Sequence, residues 1–297
     1  MYTACCIQVK ELSLLQTGLY RCINILGLKD VLKEEGLMGF WKNIFKSDKK
    51  IKEAECRRIA EGIAEQFGFG KNRVIVDVNT EVGVGEGWTL PVEGRCFVMV
   101  GIKDLIETEY TEALLLTFKN TVYHELVHVR NYFNASDEVR EIVDKEELTY
   151  AYWARKLTDD YMAYTEANQS FPLDKSCLGI SEEDILKVFY HYCLPLKFDN
   201  ETDAMLFQSF YNLGTAIIVN SIVDDEFPHR KDENLQKFHE RYMYHLKKAV
   251  DECYSTKKEF EQLAEMLLKD FEILYRVIKQ KSVTDFECFK KNSRMKN

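Results

Sequence analysis

The chain has 297 residues, 46% of them hydrophobic, and a formal net charge of -9 at pH 7. This content is enough for a packed core, in one large domain or two smaller ones. An acidic chain lacks the concentrated basic face that phosphate backbones require, which excludes nucleic acid as the main partner. The nine cysteines form no C-x-x-C pair, and they are therefore expected to be reduced thiols.

Targeting signals are not expected. Lys10 and Glu11 interrupt the apolar region that a secretion signal would need. The most apolar internal stretch, Gly214 to Val223, contains Asn220 and is too short to span a bilayer. We therefore expect a cytoplasmic protein, of a cell or of an element replicating in one, that has no membrane partner.

The first 50 residues are predicted to form an N-terminal helical segment. Apolar positions recur at helical spacing over residues 7–45, which predicts two short helices broken near Gly27 and Gly36. The polar stretch at residues 46–50 predicts a linker, and with it a domain boundary near residue 50.

A helix and a small sheet are predicted next. Residues 51–67 form an amphipathic helix that a glycine-rich turn ends. Two β-branched runs, at residues 73–78 and 95–101, predict strands. The glycine-rich stretch between them lacks the lysine and following helix of a phosphate-binding loop. We expect a mobile flap or a wide hairpin there.

The following helix carries the main chemical motif. Apolar residues recur at helical spacing from Thr111 to Phe133, and His124-Glu125-Leu126-Val127-His128 lies within that run. Residues four apart share a helix face, so both imidazoles can bind one metal ion. Glu125 is turned about 100° from His124, which suits a general base better than a ligand. The motif predicts a zinc site.

The rest of the chain is predicted to be helical. Capping signals and apolar periodicity predict helices over residues 139–170, 181–193, 200–224, 232–254 and 256–279. The last of these helices should begin with a capping box formed by Thr256 and Glu259. The predicted fold class is α+β and mostly helical, with a catalytic domain at residues 51–172 that holds the small sheet. A helical C-terminal domain at residues 173–297 follows it.

Two imidazoles alone would hold zinc poorly, so a third protein ligand is expected on the next helix. Asp160 lies on the apolar side of that helix, where a bound cation would offset the burial of its charge. Glu166 lies on a more polar face and is the alternative, and Asp159 is a third candidate. Without a metal, Asp160 would instead form a buried pair with Arg155, Lys156 or a tyrosine hydroxyl.

Residues 51–172 resemble the zincin metallopeptidases in the order helix, strands, H-E-x-x-H helix and acidic helix. They are most similar to the ImmA/IrrE-type family of phages, prophages and other mobile elements. This match rests on an acidic residue, Asp160, that is followed three positions later by an alanine, Ala163. Family members usually have Glu at the position of Asp160, and Glu166-Ala167-Asn168 resembles their Glu-Ala-Asn segment in another register. The resemblance implies a soluble zinc endopeptidase whose relatives cleave, or provoke cleavage of, a repressor protein.

These features predict metal-assisted hydrolysis of a protein or peptide substrate, with Glu125 as the general base. Candidate oxyanion donors are Tyr161, Tyr164 and His191. The strand at residues 95–101 is predicted to offer an open edge for an extended peptide, or to be purely structural. Two alternatives stay open: a helical interaction or regulatory protein with a non-catalytic zinc site, and a zinc hydrolase of a non-peptide substrate.

Overall fold

The computed structural model describes most of the chain between residues 35 and 270. The described ranges are 35–70, 72–92, 94–108, 111–144, 149–173, 204–223 and 233–270. Within them the protein is mostly helical and contains a three-stranded mixed sheet. The α+β prediction is therefore confirmed.

Three strands and eight helices are described, and we number them in chain order. The strands are β1 (Val74–Asn79), β2 (Gly87–Val92) and β3 (Arg95–Gly101). The helices are α1 (Glu35–Gln66), α2 (Lys103–Glu107), α3 (Glu112–Asn134), α4 (Asp137–Asp144), α5 (Tyr150–Ser170), α6 (Ala204–Val223), α7 (Glu233–Asp251) and α8 (residues 257–270). Across the described ranges, no helix combines the length and the apolar character needed to cross a bilayer.

Helix α1 corrects the prediction for the start of the chain. It runs without interruption through residues 46–50, so the linker predicted there is wrong and the proposed boundary near residue 50 falls inside a helix. The stretch is polar, but it contains neither glycine nor proline, and its lysines are good helix formers. Residues 1–34 lie outside the described ranges, and so does the first of the two short helices predicted over 7–45.

The sheet has the order β1-β3-β2, with β1 parallel and β2 antiparallel to the central β3. The prediction that residues 95–101 offer an open edge is wrong, because β3 pairs on both sides: Phe97 lies between Ile75 and Leu90. The sequence did not predict β2, since Gly87 and Pro91 are untypical of strands. Proline is tolerated there because β2 is an edge strand.

The glycine-rich connection from β1 to β2 is tied to the body of the protein. Asp104 Oδ2 accepts a hydrogen bond from the Val84 N–H at 2.7 Å, and the Lys103 N–H donates to the Val82 carbonyl at 2.9 Å. These contacts do not fit the mobile flap that the sequence suggested. A wide hairpin between residues 73–78 and 95–101 is wrong as well, because β1 and β3 are parallel; the end of this stretch forms β2, which pairs antiparallel with β3.

One hydrophobic core lies between the sheet, α1 and α3. The apolar stripe of α3 faces it, as the periodicity predicted, while the two histidines lie on another face of the helix. The buried residues of this core are Cys56, Ala60 and Ile63 of α1; Val78, Cys96, Val98 and Val100 of the sheet; Ile102, which precedes α2, and Leu105 of α2; and Phe118, Val122, Leu126 and Val129 of α3. This packing fixes α3 against the sheet.

A second core joins α5 to the C-terminal helices. Trp153, Ala154 and Leu157 of α5 are buried in it together with residues of α6, α7 and α8. The division predicted at residue 172 therefore does not coincide with a break in packing. Helix α5 lies between α3 and the C-terminal helices and contacts both.

The last described helix begins as the sequence predicted. The Glu259 carboxylate accepts a hydrogen bond from the Thr256 N–H at 2.9 Å, and Thr256 Oγ1 accepts one from the Glu259 N–H at 3.3 Å. This reciprocal pairing is a capping box, and it confirms the Thr256-x-x-Glu259 prediction. The hydrogen bonds also lower the pKa of Glu259.

Candidate metal centre

The candidate site lies where α3 and α5 pack side by side in opposite directions. At one end, Asn120 Nδ2 of α3 donates to the Phe171 carbonyl, which follows α5, at 2.8 Å. One turn further along α3, the His124 ring packs on the Tyr164 ring with centroids 4.2 Å apart. This pairing places the histidine face of α3 opposite the carboxylates of α5.

Three potential ligand atoms converge there. His124 Nε2 lies 2.9 Å from His128 Nε2, which lies 3.4 Å from Asp160 Oδ1. These three residues each place a ligand atom within 4.8 Å of the other two. His124 and Asp160 are buried, and His128 is half-buried.

The spacing of these atoms fits a metal ion. In a tetrahedral zinc site with bonds of about 2.0–2.1 Å, ligand atoms stand about 3.3 Å apart. The observed separations of 2.9 and 3.4 Å bracket that value. In the described part of the chain, His124 Nδ1 is buried without a hydrogen-bond partner, so no contact there fixes the proton of that ring. A cation between the facing Nε2 atoms would use both lone pairs.

Asp159 orients one of the histidines. Its Oδ2 lies 2.9 Å from His128 Nδ1, and its Oδ1 accepts a hydrogen bond from Asn131 Nδ2 at 2.6 Å. Arg155 forms an ion pair with the same Oδ1 at 3.3 Å. A carboxylate on one ring nitrogen leaves the other free to bind metal, which is a common arrangement around metal-binding histidines. The structure therefore gives Asp159 a supporting position behind His128.

The titration behaviour of the histidines follows from these neighbours. Burial and the nearby His128 hold the pKa of His124 well below its ordinary value. Burial also disfavours the charged form of His128, but Asp159 outweighs it and raises the pKa of His128 to about 9. Burial raises the pKa of Asp159, but Arg155 and His128 outweigh that effect, and the net pKa is lowered.

Glu125 is buried beside this group and is held by strand β2. Thr89 Oγ1 donates to Glu125 Oε2 at 2.7 Å. The strand can approach because Gly87 has no side chain: a Cβ there would lie 2.9 Å from Glu125 Cγ and 3.0 Å from Thr121 Cγ2. Burial raises the pKa of Glu125, and His128 and the Thr89 hydrogen bond offset only part of this increase.

The structure separates the two candidates for the third ligand. Asp160 faces the histidines, and burial raises the pKa of this carboxylate despite the nearby positive charges. Glu166 instead forms a two-pronged ion pair with Arg130, with N–O distances of 2.7 and 2.6 Å. Asp160 joins the histidine group and Glu166 does not.

Of the two candidate oxyanion donors in the described ranges, one lies at this group. Tyr164 packs on His124, and burial together with the negative charge of Asp160 raises the pKa of Tyr164, which keeps its hydroxyl protonated. Tyr161 packs against the core of the C-terminal helices. His191 lies outside the described ranges.

Sequence reasoning missed three supporting residues. Asn131 lies on the same face of α3 as His124, seven residues further on, so its position was available from the helical spacing. Asp159 was considered only as a ligand, although metal-binding histidines commonly pair with a carboxylate. Thr89 gave no signal, because the strand that carries it was not predicted.

Comparison of the chain with protein-family models, with curated proteins and with solved structures finds no match. The geometry of the site itself indicates its chemistry. That geometry offers two imidazole nitrogens and one carboxylate oxygen to a single cation, with a second buried carboxylate alongside.

Proposed function

We propose that this protein is a zinc-dependent metallopeptidase that hydrolyses a peptide bond in a partner protein. The observation that carries the proposal is the convergence of His124 Nε2, His128 Nε2 and Asp160 Oδ1, with Glu125 buried next to them. Three protein ligands leave one position of a tetrahedral ion open, as catalytic zinc sites do.

The donor set favours zinc over other common ions. Magnesium and calcium prefer oxygen ligands in six- to eight-fold coordination, and two imidazoles do not suit them. Zinc accepts nitrogen and oxygen ligands at four-fold coordination. The burial of the site also excludes bulk water, which strengthens the interaction of the ligands with a divalent ion.

Each residue then has a defined task. Bound zinc would supply Lewis acidity, which activates water and polarises a carbonyl group. Glu125 accepts the proton of the attacking water and then delivers it to the departing amine. Thr89 fixes one oxygen of the Glu125 carboxylate, and Asp159 fixes the ring of His128. Tyr164 is the candidate donor to the oxyanion.

Glu125 favours catalysis over a purely structural metal site. A structural zinc site is closed by four protein ligands and has no use for a base beside them. Burying a carboxylate costs free energy, and one hydrogen bond from Thr89 offsets only part of that cost. A raised pKa moves Glu125 towards the range in which a general base works well at neutral pH.

Strand β2 supports a peptide as the substrate. It holds Thr89 against Glu125, and within the described part of the chain it pairs only with β3. An extended peptide could add to its other edge and lie beside the site. The resemblance to zincins of the ImmA/IrrE type points to a cytoplasmic protein substrate, such as a repressor-like regulator of a mobile element.

The substitution Glu125→Gln tests this proposal. The amide keeps the size of the side chain and can still accept a hydrogen bond from Thr89, but it cannot take a proton at neutral pH. We expect zinc content to stay at one ion per chain and hydrolysis to fall about 10²- to 10⁴-fold. Zinc is measured by elemental analysis, and hydrolysis by the new N-termini that form in a mixture of unstructured peptides.

Glu112→Gln is the matched control, since this residue lies in the exposed first turn of the same helix. It should cleave like the wild type. Equal cleavage by the Glu125→Gln protein, or no cleavage by zinc-loaded wild type, would contradict the proposal and favour a protein that acts by binding.

A further inference from the structure

Helix α6, from the C-terminal region, reaches directly to the third ligand. Thr215 Oγ1 donates to Asp160 Oδ2 at 3.1 Å. The Tyr211 hydroxyl forms a second hydrogen bond to the Asp160 carboxylate. Tyr211 and Thr215 are four residues apart, so they lie on the same face of α6. This face is turned towards the metal-binding group.

The two oxygens of Asp160 therefore have different surroundings. Oδ1 lies 3.4 Å from His128 Nε2, whereas Oδ2 is held by Thr215. One oxygen is presented to the ligand group, and the other is fixed by α6. Tyr211 is itself held, since the Lys156 ammonium lies 4.6 Å from the centre of its ring.

A glycine allows α6 to come this close. Gly214 lies next to Thr215 inside the helix, where glycine is less favourable than alanine. A Cβ at Gly214 would lie 2.7 Å from Leu157 Cδ2 of α5 and would also collide with the Tyr242 hydroxyl of α7. Only a residue without a side chain lets α6 pack this closely against α5. The close approach brings the hydroxyls of Tyr211 and Thr215 to Asp160.

We propose that Tyr211 and Thr215 are positioning residues of the metal centre, so that α6 completes the zinc site by fixing the Asp160 carboxylate. This inference rests on the zinc site of the proposed function. It gives the C-terminal helices a direct role: their packing on α5 sets the metal affinity. Residues that orient metal ligands typically contribute about 10- to 100-fold to that affinity.

Zinc affinity provides the test, independently of hydrolysis. Purified zinc-free proteins compete with a chromophoric chelator for added zinc, and the dissociation constants are compared. We expect Thr215→Val, which keeps the shape and removes the hydroxyl, to weaken zinc binding about 10- to 100-fold. Tyr211→Phe should weaken it to a similar extent, and Thr215→Ser should bind like the wild type.

Two matched substitutions control for the loss of a hydroxyl as such. Thr165→Val removes a hydroxyl of α5 that donates to the Tyr161 carbonyl. Tyr244→Phe changes an exposed tyrosine of α7. Both should bind zinc like the wild type. Gly214→Ala should weaken zinc binding while Thr215 is intact, because it moves α6 away from α5.

The outcomes separate this inference from the proposed function. If wild type binds zinc tightly and His124→Ala does not, the zinc site stands. Wild-type affinity in both Thr215→Val and Tyr211→Phe would then overturn the role of α6 alone. Zinc affinity that falls equally in Thr215→Val, Thr215→Ser and Thr165→Val would also overturn it. A general loosening of helix packing would then explain the loss, and not the missing hydrogen bond to Asp160. A wild type that binds no zinc overturns both proposals.

Discussion

In the described part of the chain, histidines meet buried carboxylates at two places, and the two places differ in the groups that surround each carboxylate. Between α7 and α8, His245 Nδ1 lies 3.0 Å from Asp270 Oδ2, while Arg241 Nη2 approaches Asp270 Oδ1 at 2.7 Å. His239 of α7 contacts the Ser221 hydroxyl of α6. Between α3 and α5, His128 also pairs with a carboxylate, Asp159, but its other ring nitrogen faces both His124 and a second carboxylate, Asp160.

The difference shows which arrangement could hold a metal ion. Asp270 is buried, but Arg241 hydrogen-bonds its Oδ1 and His245 lies within ion-pair distance of its Oδ2, so the protein itself places positive or polar groups beside this carboxylate. At the other site, the lone pairs of His124, His128 and Asp160 are directed to one small region. Lone pairs repel one another unless protons or a cation lie between them. Convergence of ligand atoms, and not burial alone, therefore distinguishes the candidate metal centre.

The largest effect should come from removing both imidazoles of the candidate centre. His124→Ala/His128→Ala leaves one protein ligand, and we expect the zinc-binding constant to fall by more than about a thousandfold. Elemental analysis after zinc-replete purification would then find no stoichiometric metal. Retention of one zinc per chain in this variant would contradict the prediction, because zinc binding would then not depend on His124 and His128.

A smaller loss is expected from the third ligand. Asp160→Ala should weaken zinc binding by more than about a hundredfold, because one of three protein ligands is lost. Glu166→Ala is the control: it breaks the ion pair with Arg130 and should leave zinc affinity unchanged. The dissociation constants come from chelator competition. The reverse order of effects would mean that the Glu-Ala-Asn register of the family resemblance is the correct one.

Asp159→Asn should have an intermediate effect. The amide cannot hold His128 as the carboxylate does, so we expect zinc affinity to fall about 10- to 100-fold. Asp144→Asn, on α4, changes a carboxylate away from the centre and serves as the control. Zinc affinity in Asp159→Asn equal to that of the wild type would show that Asp159 serves only Arg155 and Asn131.

The smallest effect on zinc should come from His239, which contacts Ser221 of α6 and is not one of the converging ligands. Burial lowers its pKa to about 4. His239 therefore binds a proton more tightly in the unfolded chain than in the folded protein. The free energy of unfolding is therefore not reduced by His239 above its unfolded pKa of about 6.5. It decreases as the pH falls towards the folded pKa of about 4. His239→Gln should retain zinc and lose that part of the pH dependence, worth up to about 3 kcal/mol.

The measurement for His239 is denaturant unfolding of zinc-free protein at pH 7.5 and 4.5. The drop in free energy of unfolding between the two pH values should be larger for wild type than for His239→Gln. Identical drops in the two proteins would show that His239 does not titrate as its burial implies. Loss of zinc in this variant would show that zinc binding depends on a histidine outside His124 and His128, and it would contradict the account.

The sequence predicted the parts of this protein that local periodicity controls. The H-E-x-x-H helix, the inward direction of Asp160 and the capping box at Thr256 all follow from helical spacing. Predictions failed where contacts between distant parts of the chain determine the local structure. Strand β2 carries Gly87 and Pro91, which an edge position tolerates. The polar residues 46–50 continue a helix, because composition alone does not break one.

The supporting contacts of the site could not be predicted for the same reason. Thr89 reaches Glu125 only because the sheet packs on α3, and Thr215 reaches Asp160 only because α6 packs on α5. Each contact joins residues far apart in the chain, and no local pattern encodes such a pairing. Gly214 did give a signal, as a glycine inside a helix, but its neighbours decide what it means.

Anomalous diffraction at the zinc absorption edge, from crystals of the zinc-loaded protein, tests the central claim most directly. It locates the metal without any assumption about activity. We predict one strong peak about 2.0–2.2 Å from His124 Nε2, His128 Nε2 and an oxygen of Asp160. A peak bound by Glu166 or by the His245–Asp270 pair, or no peak between α3 and α5, would contradict the account.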